Sequence, residues 1–233
     1  MKSTMLLVLI MVANLSLPAQ RNSTIKVNAL NPASRLFSSG YMNPDFIDGT
    51  IHFRNGVLGQ AKLNFNRFTN QVLFIAPTAD TLALAEPETV LWVEIGIDTM
   101  YFYHGLVLQK VTHNKTAPDL FVRQNLKMIG KEKKGAYGGY SGVGAINSVP
   151  SLSRSGELTT QILADENIIY RIDSYYYLSD PANNLYPAKK NQLAKACPQH
   201  ENEINAFIKT QQIDVDKKED LLQLIGYIQH LML

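Results

Sequence analysis

Apolar and polar positions alternate in short runs through the middle of the chain and recur every three to four residues near its end, so strands are predicted first and helices last. From Gly49 to Met128 the pattern is strand, turn, strand. Gly49 to Phe53 reads as a short strand closed by Asn55-Gly56, a pair that readily adopts the left-handed backbone of tight hairpin turns. Ala61, Leu63 and Phe65 alternate with Lys62, Asn64 and Asn66, which predicts one apolar and one polar face. Val72 to Ala76 is continuously apolar, stops at Pro77, and forms a hairpin with its predecessor across residues 66–70. Further strands are expected at Thr81 to Ala85, Leu91 to Ile95, Thr99 to His104, Leu106 to His113 and Leu120 to Met128.

Lys131 to Gly156 breaks the alternation, with Gly135, Gly138, Gly139, Gly142 and Gly144 set among Ser and Tyr, and reads as a long flexible loop. Beyond it, Leu158 to Leu163 and Ile168 to Leu178 predict one more hairpin turning at Asp165-Glu166-Asn167. The period then changes. Leu221, Leu224, Ile225, Ile228, Leu231 and Met232 mark one face of a helix, with Asp216 as its N-cap and Glu219 as the capping-box partner. A preceding helix over Pro198 to Gln211 carries Ile204, Phe207 and Ile208 on one side, and a shorter one is expected over Ala188 to Ala196.

The fold class is therefore α+β: mostly antiparallel β, as a curled sheet, barrel or sandwich, with a C-terminal tail of two or three helices. The chain divides into a signal peptide (1–19), an N-terminal extension (20–48), an antiparallel β body (49–130), the Gly/Ser/Tyr-rich loop (131–156), an additional β-hairpin (157–186) and the helical tail (187–233). The signal reading rests on Lys2, the apolar run Met5 to Ala13, and the exit Leu17-Pro18-Ala19-Gln20. That run is far shorter than the roughly 20 residues a spanning helix needs. Cleavage is expected after Ala19, with cleavage after Gln20 as the alternative, leaving an exported protein, periplasmic or at the cell surface, without a transmembrane anchor. A buried N-terminal helix or strand is the competing reading.

Composition narrows the partners. The 22 Lys and Arg nearly balance the 20 Asp and Glu, so no basic field for nucleic acid is present. The single cysteine, Cys197, precludes an internal disulfide and leaves stability to packing.

Candidate chemistry is sparse. Gly139-Tyr140-Ser141-Gly142-Val143 lacks the glycine spacing of a nucleophile elbow, and Lys133 and Lys134 precede the glycines that a phosphate loop would place before its lysine. His52, His104, His113, His200 and His230 are dispersed, and Cys197 with His200 lacks two further ligands for zinc. Neither a metal nor a cofactor is implied, and Cys197 reads as a packing residue. Tyr101 and Tyr103 beside Phe102, with Tyr175 and Tyr177 beside Tyr176, either line a ligand groove or pack across strands; packing is the favoured reading.

Lys62-Leu63-Asn64-Phe65-Asn66, Asp80-Thr81-Leu82-Ala83-Leu84, Gly135-Ala136-Tyr137-Gly138 and the tail Ile204 to Ile228 resemble a loose group of exported proteins of one Gram-negative bacterial phylum. That resemblance implies localisation and fold, and no activity. Asp80-Thr81-Leu82 and Asp98-Thr99-Met100 also resemble the tripeptide that such bacteria O-glycosylate, which would make Thr81 and Thr99 acceptors; ordinary turn-to-strand junctions are the alternative. The function expected from these observations is a non-enzymatic, envelope-associated binding or assembly protein whose partner is an envelope protein or a glycan. A periplasmic or surface hydrolase with a dispersed site is the alternative, and an outer-membrane barrel is disfavoured by short strands and a helical end.

Overall fold

Tight turns between alternating segments let most strands in the middle of the protein pair with a chain neighbour, giving two runs of hairpins that one non-consecutive pairing joins. The computed structural model describes residues 24–28, 38–114, 117–134, 140–142 and 166–233. The strands are β1 (Thr24–Asn28), β2 (Ile47–Phe53), β3 (Leu58–Asn66), β4 (Gln71–Ile75), β5 (Thr81–Ala83), β6 (Val90–Ile95), β7 (Asp98–Tyr103), β8 (Leu106–Lys110), β9 (Leu120–Lys134), β10 (Tyr140–Gly142), β11 (Glu166–Ser179) and β12 (Leu185–Pro187). All belong to one antiparallel sheet in the order β1-β11-β9-β8-β7-β6-β2-β3-β4-β5, with β10 added to β9 and β12 to β11.

The path ends at β1 and β5, so the sheet is curled and not closed. Its curl is clasped by the β3–β4 turn. Arg67 Nε donates to Gln124 Oε1 on β9 at 2.8 Å, and the Phe68 ring meets Tyr170 of β11 edge-on at 5.6 Å. Residues paired across antiparallel strands share a face, so the registers assign every side chain to one side of the sheet. Ile51, Leu63, Phe65, Val72, Val93, Ile95, Met100 and Val107 fill the inside of the curl. The tail covers the same face farther along, where Leu120, Val122, Tyr176 and Leu178 pack against it.

That tail consists of α1 (Glu201–Thr210) and α2 (Lys218–Leu231). Ile204 and Ile208 of α1 and Leu221, Leu224, Ile225 and Ile228 of α2 are buried, the spacing expected of one apolar stripe per helix. Phe207 and Tyr227 stack at 4.1 Å between the helices. Helices this short are marginal in water, and burial of each such Leu or Ile, about 1.5–3 kcal/mol, is what holds them.

Several local expectations change. The Asn64 face of β3 is not solvated: Asn64 and Asn66 are fully buried. Asn64 Nδ2 donates to the carbonyls of Asn43 and Asp45, and its Oδ1 accepts from the N–H of Asn43 and Phe65. The segment before β2 thus covers the predicted polar face, and one amide satisfies it. β9 runs to Lys134, beyond the expected start of the loop at Lys131, because Lys131 and Glu132 pair with Ile168 and Asn167. Glu166 and Asn167 accordingly lie in β11 and not in a turn. α2 begins at Lys218 with Lys217 at its N-cap and no side-chain cap, in place of Asp216. Asp220 instead accepts from the Asp214 N–H at 2.8 Å, tying the helix to the preceding turn. The helix expected from Ala188 is reduced to a 3-10 turn over Leu193–Ala196. The signal segment 1–19, the glycines at 135–139 and the strand expected at Leu158 to Leu163 lie outside the described residues. Among those described, no helix is long and apolar enough to cross a membrane.

Candidate functional site

A two-residue period puts Trp92 of β6, Tyr101 and Tyr103 of β7, Lys110 of β8 and Phe121 of β9 on the outer face, opposite the core. Register aligns them. His52 pairs with Trp92, Trp92 with Tyr101, and Lys110 with Phe121. The rings form a stripe across the strands: His52 stacks on Trp92 at 4.6 Å, Trp92 leans on Tyr101 at 6.1 Å, and Tyr101 meets Phe121 edge-on at 5.5 Å.

Over this stripe lies a groove of about 420 Å³, within the range of small-molecule sites. Its floor carries Trp92, Tyr101, Tyr103 and Phe121, and its far wall is the turn between β11 and β12, which contributes Asn183 and Leu185. Asp180 organises that wall. One carboxylate oxygen accepts from the N–H groups of Ala182 and Asn184, and the other accepts from Asn184 Nδ2 and Tyr186 Oη. The side-chain hydrogen bond from Asn184, followed by the backbone donors, holds the Asp180 carboxyl below its usual range. The Leu185 N–H reaches Tyr103 Oη at 3.5 Å, so the wall also touches the floor.

The groove is polar at defined points. Lys110 Nζ lies 2.5 Å from Asp119 Oδ2, and its ammonium sits 5.8 Å and 6.0 Å from the ring centroids of Tyr101 and Phe121. Both side chains of the pair are about 15% exposed, so the pair is shielded from bulk water and strengthened by it. Asp119 is itself pinned: Oδ1 accepts from the Asn114 N–H, the Asp119 N–H donates to Ser179 Oγ, and its carbonyl accepts from the Ser179 N–H. At the opposite end, Arg54 Nε donates to the Glu88 carbonyl at 2.7 Å while the guanidinium borders the groove.

Of the aromatics singled out from the sequence, the structure brings Tyr101 and Tyr103 together and leaves Tyr175 and Tyr177 outside. Tyr177 sits on the outer face in register with Phe121, one strand beyond the groove, and Tyr175 is 47% exposed opposite Arg123. Trp92, Phe121, Lys110, Asp119 and Arg54 were not singled out. For Trp92, Lys110 and Phe121 the signal is parity, an outward position in a strand hidden within runs such as Leu91-Trp92-Val93; Arg54 and Asp119 flank strand ends and carry no such signal. Thr81 is exposed at the start of edge strand β5, whereas Thr99 is half-buried within β7 between Glu94 and Lys110. Cys197 is buried in the tail core, and burial raises its thiol pKa. Among the described residues no group of His, Cys, Asp and Glu is placed to hold a metal.

Comparison with known protein families, curated proteins and solved structures finds no match for this chain.

Proposed function

We propose that this is an exported, envelope-associated binding protein that takes a glycan in the aromatic groove. The observation that carries the reading is the stripe Trp92–Tyr101–Phe121 beside the fixed Lys110–Asp119 pair. A sugar ring has an apolar C–H face and a rim of hydroxyls that both donate and accept. The aromatic floor suits the face, and an ammonium beside a carboxylate suits the rim. An extended peptide has less to gain there. β6 and β7, which carry Trp92, Tyr101 and Tyr103, are paired on both sides and offer no free backbone edge for strand addition.

Binding is favoured over hydrolysis by the state of the acid groups. Glycoside hydrolysis calls on two carboxyl groups about the scissile bond. In this groove Asp119 is committed to Lys110, and the carboxylate of Asp180 is spent on its own turn. Export is the expectation from residues 1–19 and belongs to the same proposal.

Trp92 is the only tryptophan of the chain, so its emission reports the groove alone. A glycan array followed by calorimetry and Trp92 fluorescence tests the reading. The expected result is binding to at least one pyranose class with a change in Trp92 emission, weakened roughly threefold to tenfold in Tyr101→Ala, as loss of one aromatic contact predicts. Binding unaffected by Tyr101→Ala, or no binding to any glycan, overturns it.

A further inference from the structure

The groove does not stop at Tyr103. Arg54, Phe102 and Tyr103 also border a larger cavity, of about 1,030 Å³, at the open mouth of the curled sheet. The curl brings the β3–β4 turn and the segment after β5 opposite the β7–β8 turn, and the mouth lies between them, above core residues Val72 and Val107. Two of its lining residues carry polar atoms that lack a partner. Thr69 Oγ1 and Asn70 Oδ1 are buried with no hydrogen-bond partner among the described residues. Buried polar groups are ordinarily paired, so an orphaned pair bordering a cavity marks a place where a donor from outside is wanted. Asn70 is also held at φ +54, a left-handed conformation that asparagine tolerates in a turn.

We infer that the mouth is a second subsite of the same groove, so that the protein takes a linear oligosaccharide running from Trp92 over Tyr103 and Arg54 to Thr69 and Asn70. This rests on the glycan reading and adds length and direction to it. With both side chains turned toward the cavity, a sugar hydroxyl donates to Asn70 Oδ1, and a second exchanges a hydrogen bond with Thr69 Oγ1. A disaccharide engages only the aromatic end. A longer chain reaches both ends, and its added rings bind at the high effective concentration set by the first.

Cello-oligosaccharides and chito-oligosaccharides of two to six rings, titrated against the full chain by calorimetry and Trp92 fluorescence, test it. The expected result in the series that binds is an affinity at least about tenfold higher for six rings than for two. Thr69→Val and Asn70→Gly, the latter chosen because glycine tolerates the positive φ, will abolish that gain and leave the two-ring affinity unchanged, with melting curves confirming that both variants fold. Equal affinity for two and six rings, or a length gain that survives both substitutions, overturns the inference and leaves the glycan reading standing. Failure of every glycan in the array and both series overturns the two together.

Discussion

Single residues carry the chemistry of this molecule, and several act through one hydrogen-bonding side-chain group. Asp180 is the clearest case, with four donors converging on one carboxylate. Its pKa is lowered on folding, as are those of Asp214 and Glu132. A carboxyl whose folded pKa lies below its unfolded value, near 4, contributes stability that is present above that value and is lost as pH falls through the folded one. The protein will therefore lose stability on acidification below about pH 4, and Asp180→Asn will flatten that acid limb. Chemical denaturation from pH 6 to pH 2.5 checks it; an unchanged slope would remove Asp180 from the account. Lys110→Met tests the groove at the same scale. It leaves Asp119 shielded and unpaired, so glycan affinity and stability will both fall, whereas the Lys110→Met/Asp119→Leu double variant will regain stability without regaining affinity. These roles were not legible in advance. Parity alone places Lys110 and Phe121 on the outer face, but which aromatic meets which ring depends on register across strands far apart in sequence.

Among elements, β3 shows how far a pattern can be read and where it stops. Its hairpin with β4 and the turn between them follow from alternation and from the residues at 66–70, whereas its start at Leu58, ahead of the alternation that begins at Ala61, does not. The apparent polar face did not reveal that Asn64 is enclosed, because the covering segment before β2 has no periodicity of its own. Truncating this amide leaves the Asn43 N–H and the Asn43 and Asp45 carbonyls without partners. Asn64→Ala will cost on the order of 3 kcal/mol, read as a shift of the denaturation midpoint. Gly40 and Gly49 belong to the same seam. A Cβ on Gly49 would collide with the Glu94 carbonyl across the strand pair, and one on Gly40 would collide with the Asn66 side chain that shapes the β3–β4 turn. Gly49→Ala will be the more damaging of the two, since backbone yields less than a side chain; comparison of the two melting temperatures settles the order.

At the scale of the whole molecule, sheet and tail share a face. The tail's helical period was plain in the sequence, as was the antiparallel, β-rich class. The absence of closure was not, because a curled sheet and a barrel are built from the same strands and differ only in whether the ends meet. The tail cannot stand alone, as its buried stripe needs Leu120, Val122, Tyr176 and Leu178 beneath it. Leu224→Ala will cost about 2–5 kcal/mol, the range for a large core truncation. It will also loosen β9 and β11 more than β2 to β4, which hydrogen exchange resolves strand by strand.

The placement of β1 has a consequence in time. Thr24 is among the first described residues, and its partner Arg171 lies on a strand that follows nearly all of the others. β2 to β8 find their partners among themselves and β9, with β2 joining β6 across the intervening β3, β4 and β5, and are able to assemble before β11 exists. β1 has to wait until β11 is in place, because closing so long a loop is slow and brings no return until the partner strand is formed. A chain that is threaded through a membrane from its amino end would hold β1 idle throughout the passage, and would seat it last.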